Sequence, residues 1–166
     1  TSTKVKEIQR GKVMTDRGEI AAKLVIWCAG IRPSPVAEAL DVEKSHGWIA
    51  VDTYLRIKGF EDAYAIGDLA WVEIDGKVAA KSGLEAERQG SAAAVNVVRS
   101  IGREKPVKYN MRSRTDNPLV LISLGDNKAV AALGDVGFSI CLSSPSGLLY
   151  RMKRRVDTGY VKKFSK

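Results

Sequence analysis

A chain of 166 residues, 45% hydrophobic and 28% charged, has the size and composition of one ordinary globular domain, which excludes collagen-like and disordered classes. No apolar run approaches the roughly 20 residues that span a bilayer, and the N-terminal TSTKVKEIQRG lacks the apolar core of a signal peptide. Of the net charge of +8, +6 falls between Leu148 and Lys166, so an anionic partner is expected at the tail.

Residues 4–13 (KVKEIQRGKV) alternate in the manner of one strand, and Thr15-Asp16-Arg17-Gly18 is a turn signal. Residues 19–28 (EIAAKLVIWC) read as a second strand, whose continuous apolar stretch suits burial on both faces of a parallel or mixed sheet. It ends at Ala29-Gly30. Ser34 as N-cap and Pro35 in the first turn predict a short helix through Leu40. His46-Gly47 marks a turn before a strand over Trp48–Val51. Residues 61–66 (EDAYAI) are expected as a buried strand closed by Gly67-Asp68, and a hairpin-like stretch surrounds Asp75-Gly76.

The segment Ser82–Ile101 carries the strongest helical signal: rich in Ala and Glu, free of proline and stopped by Gly102. Ala86, Gly90, Ala93, Ala94 and Val97 give it a face of small side chains, able to pack on a backbone or a flat ligand. Pro106–Arg112, Leu119–Leu124, Ala129–Leu133 and Gly137–Leu142 are expected as short strands. Asp126-Asn127 and Gly134-Asp135 divide the last three, which suggests a small antiparallel sheet. Beyond Pro145-Ser146-Gly147, a final helix places Leu149, Met152, Val156, Tyr160 and Phe164 on one face, with Gly159 weakening its end.

Cys28 and Cys141 lie 113 positions apart, matching no metal or redox spacing, and both read as small core residues. With His46 the lone histidine, imidazole metal clusters and Ser/His or Cys/His dyads are poorly supported. The sharpest chemical feature is YAIGDLA, Tyr64–Ala70. Gly67 would let the backbone approach a ligand, and Asp68 could accept a bond from a hydroxyl at the carboxyl end of a sheet. The competing reading is an ordinary Asx-type turn.

The ordered run KLVIWCAGIRPSP, GWIAVDTYLR, DAYAIGDLA and AAKSGLEAERQGSAAAVNVV resembles the C-terminal half of the FAD-dependent pyridine nucleotide oxidoreductases, over roughly residues 5–105. In that superfamily a strand ending in a small residue and Gly marks the crossover between NAD and FAD domains, here Cys28-Ala29-Gly30. A second strand ending in Gly-Asp binds the flavin's ribityl or pyrophosphate region, here Gly67-Asp68; the Val51-Asp52 pair between them also fits. Within the superfamily the chain is similar to the type II NADH:quinone dehydrogenases and the sulfide:quinone reductases. Ser82, Ala86 and Gln89-Gly90 match the dehydrogenase helix pattern, whereas Leu84 stands where its first glutamine would fall. Lys81-Ser82-Gly83 and Glu87 resemble the Lys-Thr-Gly and nearby Glu of the reductases. The segment from Leu119 onward resembles the dehydrogenases' C-terminal sheet and membrane-docking helix.

The resemblance implies an α/β fold (α+β as a fragment): the C-terminal portion of a two-dinucleotide-domain FAD/NAD(P)-binding fold, with a small antiparallel sheet and a C-terminal helix. Residues 1–30 would close the NAD-binding domain, 31–104 would form the C-terminal part of the FAD-binding domain, and 105–166 the small sheet with its basic amphipathic helix. It implies a flavoprotein passing electrons from NADH through FAD to quinone in the complete enzyme. The alternatives are a sulfide:quinone reductase fragment or a non-catalytic, basic membrane-docking module. Ala29, Gly30, Gly67, Asp68, Lys81, Ser82 and Gly83 are the expected cofactor-binding residues, with no catalytic residue assigned. Arg151, Lys153, Arg154, Arg155, Lys162 and Lys163 are the expected membrane or partner contacts. Neither G-x-G-x-x-G loop of such an enzyme occurs in the sequence, so the chain is expected to be a fragment, inactive alone and weak for FAD. The further expectations are a peripheral location on the inner, cytoplasmic face of the cell membrane, and self-association where absent N-terminal domains leave apolar surface bare. Nucleic acid is disfavoured, since no platform of interleaved aromatic and basic residues occurs.

Overall fold

The computed structural model describes residues 2–134 and 141–165, without the side chains of 133, 141–145, 160, 163 and 164. The chain divides into two units, Thr1–Arg32 and Pro33–Lys166.

The first unit is an antiparallel meander of β1 (Val5–Gln9), β2 (Lys12–Thr15) and β3 (Gly18–Ala21). The one strand expected over residues 4–13 is therefore a hairpin. Ile8, Val13 and Ile20 stand opposite one another across the three strands. Ile8 and Val13 share a face only if the chain reverses between them, and Gly11, at φ +81°, makes the reversal. The second expected strand is shortened as well. Residues 24–28 join no ladder among the described residues; Leu24 and Ile26 are each 77% exposed, and Cys28 is an exposed free thiol rather than a core residue. An apolar stretch becomes a doubly buried strand only between neighbouring strands, and none flanks this one.

In the second unit, α1 (Pro35–Ala39) begins as expected: the Ser34 hydroxyl accepts from the Val36 N–H, with proline in the first turn. β4 (Lys44–Ser45) and β5 (Trp48–Ala50) form a hairpin whose two loop residues, His46 and Gly47, both have positive φ, the geometry of a tight primed turn. β5 also pairs in parallel with β6 (Ala70–Trp71), and β7 (Glu73–Ile74) with β8 (Lys77–Val78) makes the hairpin around Asp75-Gly76. The expected strand over 61–66 reduces to one bridge, Arg56 to Tyr64. Short-range contacts take its backbone instead: Ala65 N–H donates to Leu55 O, and Ala63 O accepts from Ile57 N–H. Ile49, Val51, Leu55, Ala65, Ala70, Val72 and Ala93 form the core under these pieces.

The long helix α2 (Gly83–Ile101) matches its expected limits, with Ser82 as N-cap and Gly102 as C-cap. β9 (Leu119–Gly125), β10 (Lys128–Leu133) and β11 (Cys141–Ser146) form an antiparallel sheet in the order β11-β10-β9. β11 runs on to Ser146, beyond the expected end at Leu142, while 137–140 of that expected strand and the Cys141 side chain lie outside the described residues. The last helix, α3 (Gly147–Phe164), sets Leu149 on Ala129 and Ala131. Met152 and Val156 of its expected apolar face are exposed, and the side chains of Tyr160 and Phe164 are not described. The result is the expected mixture of helix and strand with small antiparallel sheets and a C-terminal helix.

Candidate functional site

The Gly67-Asp68 motif lies in a 3-10 turn, Gly67–Leu69, rather than at the end of a ladder strand. Gly67 has φ +62°, and a Cβ there would stand 3.3 Å from the Ala86 side chain. Any other residue would be strained and crowded, so the glycine serves both the bend and the approach of α2. A Cβ at Gly90 would stand 3.4 Å from the Ile66 side chain, an ordinary contact. Two positions of the small-residue face thus pack on backbone and side chain of the motif, while Ala94 and Val97 are exposed.

Three bonds hold this turn. The buried Gln89 side-chain oxygen accepts from the Gly67 N–H at 2.7 Å. The Lys81 ammonium donates to Gly67 O at 3.3 Å and to Ala70 O, and lies over the Trp48 ring, 5.3 Å from its centre. Burial lowers the Lys81 ammonium from 10.5 to about 8, and the charge of Asp68 opposes the shift. Asp68 itself is exposed and makes no hydrogen bond among the described residues. It is a fixed carboxylate turned to solvent, suited to accept from the hydroxyls of a ligand. The Ser82 hydroxyl is spent on capping Glu85 N–H, and the N–H groups of Gly83 and Leu84 in the first turn have no intrahelical acceptor. Together they offer donors and the positive end of a helix dipole. Gly67, Asp68, Lys81, Ser82 and Gly83 are thereby gathered in one place. Ala29 and Gly30 belong to the other unit, where both are exposed and Gly30 has φ +91°.

A groove of about 620 Å³ opens at the N-terminus of α2. Leu84, Leu119, Val120, Leu121, Val156 and Val161 supply an apolar lining, with Ser82, Gly83, Glu87 and the Lys153–Asp157 ion pair, 2.6 Å apart, at its polar positions. Lys153, expected as a surface contact, is therefore partly turned into this groove. Arg151, Arg154, Arg155 and Lys162 are exposed on α3, and the side chain of Lys163 lies outside the described residues.

Sequence reasoning missed the polar side of α2. Glu85, Gln89 and Asn96 are all buried, at helical spacing with Ala93. Glu85, without exposed surface, accepts from the Tyr109 hydroxyl at 2.5 Å, from Ser113 N–H at 3.0 Å and from Arg112 N–H at 3.3 Å. Asn96 donates to the carbonyls of Tyr54 and Val107 and accepts from Val107 N–H. The strand expected over 106–112 is thus no strand: side chains of α2 stand where a neighbouring strand's backbone would, and satisfy its polar groups. The spacing 85, 89, 93, 96 was the available signal, but polar residues on a helix read by default as the solvated face. Tyr109 is pushed well above its usual 10.0 by burial first, and then by its bond to Glu85.

The Gly67–Leu69 turn thus presents an exposed carboxylate beside the N-terminus of α2. The chain belongs to the pyridine nucleotide-disulphide oxidoreductase family, whose model matches residues 1–96. It is 33% identical to the mitochondrial internal alternative NAD(P)H-ubiquinone oxidoreductase A1 of Solanum tuberosum, across 60% of this chain and 21% of that protein. It is 30% identical to an NADH dehydrogenase-like protein of Mycobacterium tuberculosis, across 82% of this chain and 32% of the relative. A ferroptosis suppressor protein of Homo sapiens matches at 34% identity, across 74% and 31%. The chain thus spans between about a fifth and a third of the length of these relatives.

Proposed function

We propose that this chain is the C-terminal part of a flavin-dependent NADH:quinone oxidoreductase, in which electrons pass from NADH through FAD to quinone. The observation that carries this is the apolar groove running from the first turn of α2 to α3. Its lining is hydrophobic, with a few polar groups contributed by both helices, as a flat apolar acceptor with carbonyl oxygens requires. The residues present fit the flavin in part. Asp68 would accept from hydroxyls of its ribityl chain. The N-terminus of α2, with Ser82 and Gly83, would face its pyrimidine end and stabilise negative charge there. The flavin supplies the redox chemistry; the protein supplies position and field. The glycine loops for the two dinucleotides would come from the remainder of the complete polypeptide.

No helix among the described residues is long and apolar enough to cross a membrane. The cations of α3, interleaved with exposed Leu148, Met152 and Val156, favour a peripheral position on anionic lipid at the inner face of the cell membrane. Exposed apolar residues such as Leu24, Ile26 and Trp27 favour self-association of the isolated chain.

The first test is the absorbance of the purified chain before and after incubation with FAD and gel filtration. Little retained flavin absorbance (roughly 450 nm, a property of the cofactor) is expected from the chain, and full retention from the complete polypeptide. The groove is tested by Leu84→Trp in the complete enzyme. A rise of about fivefold or more in quinone KM, with NADH oxidation by a small soluble acceptor unchanged, is expected. An unchanged quinone KM would remove the groove from the acceptor path.

A further inference from the structure

Asp68 can orient a ligand only if the turn carrying it is held still, and Lys81 is placed to hold it. Its ammonium reaches the carbonyls at both ends of the turn, Gly67 O and Ala70 O, from the residue just before the α2 N-cap. Gln89 grips the same turn by the Gly67 N–H. With its donors turned onto backbone, Lys81 is committed to the protein. We propose that Lys81 is a positioning residue, an ammonium clip across the Gly67–Ala70 turn that presents Asp68. This role rests on the placement of flavin at Asp68 proposed above.

The surroundings of Lys81 define what its titration changes. The charged group facing it is Asp68; β5 offers it the Trp48 ring, and Trp71 of β6 is bonded through Nε1 to Glu73. Burial brings the titration down to about 8, within reach of ordinary buffers. Losing the proton turns two charge-assisted bonds into weaker neutral ones and removes the counter-charge beside Asp68. Burial outweighs that loss: the fold releases this proton more readily than the unfolded chain does, so stability rises between pH 8 and 10.5. Any opening that returns the ammonium to water carries the same sign, so the clip is tested by replacing the side chain rather than by pH.

The test uses the complete polypeptide, wild type, Lys81→Met and Lys81→Arg, at pH 7, where the ammonium keeps its proton. Two quantities are read: amide-exchange protection of Gly67–Ala70 without flavin, corrected for intrinsic rates, and FAD affinity by fluorescence titration. In the methionine variant both are expected to fall about fivefold below wild type, the scale of one lost charged hydrogen bond. The arginine variant should recover part of both, because a guanidinium keeps the charge and the donors. Wild-type protection in the methionine variant overturns the proposal. Turn protection that behaves as expected while FAD affinity ignores Lys81 leaves the clip standing and places the flavin away from Asp68.

Discussion

The two long helices have nearly the same length, and each starts at a serine cap, yet they are attached to the protein by different physics. Helix α2 is fixed by polar side chains: Glu85, Gln89 and Asn96 reach from its buried face to the backbone of three other segments. Helix α3 leans on the small sheet through Leu149 and leaves Leu148, Met152, Val156 and Val161 exposed. Hydrogen bonds are directional and fix a helix in register and rotation; a few apolar contacts fix only its side. The contrast suits the two roles proposed, since α2 must hold the ligand turn still, while α3 must keep apolar surface free for something outside the chain.

Glu85→Ala should test the contrast most severely. It leaves the Tyr109 hydroxyl and two backbone N–H groups without their acceptor, and about 3 kcal/mol of stability should be lost in urea unfolding. A loss below about 1 kcal/mol would mean that the polar attachment of α2 is incidental. Next in size, Asn96→Ala should cost about 2 kcal/mol, because three partly buried backbone bonds go together. Its effect should reach the whole second unit. Leu149→Ala should cost a comparable amount but open only α3 and its sheet, which hydrogen exchange would separate.

Tyr109→Phe should cost only about 1 kcal/mol at neutral pH, with a distinctive pH signature. The phenol is harder to ionise in the fold than in the unfolded chain, so its stabilisation is complete below pH 10 and declines as pH rises beyond it. Wild-type stability should fall above pH 10 more steeply than that of the phenylalanine variant. Smallest of all, Lys153→Ala on α3 should change stability by less than about 0.5 kcal/mol, since its ion pair with Asp157 is substantially exposed. Cosedimentation with anionic vesicles should nevertheless weaken. A large stability loss with unchanged vesicle binding would assign Lys153 to the fold.

What is written locally in the chain could be read from it. The cap and proline of α1, the limits of α2 between Ser82 and Gly102, the His46-Gly47 turn and the β9–β10 hairpin depend on neighbours a few residues away. Tertiary structure decided the rest, because the deciding partner is distant in sequence. Leu24–Trp27 has the composition of a buried strand, but burial requires flanking strands, and it is exposed. Residues 106–112 have the composition of a strand as well, yet Glu85 and Asn96, up to 27 positions away, take backbone groups at Val107 and Arg112. The helical spacing of 85, 89, 93 and 96 did not by itself mark those polar residues as interior, since an unpaired buried carboxylate is prohibitively costly and only the fold supplies its three donors. Lys81 follows the same rule: its charge is legible in the sequence, but its place across the Asp68 turn exists only once Gly67, Ala70 and Trp48 have come together.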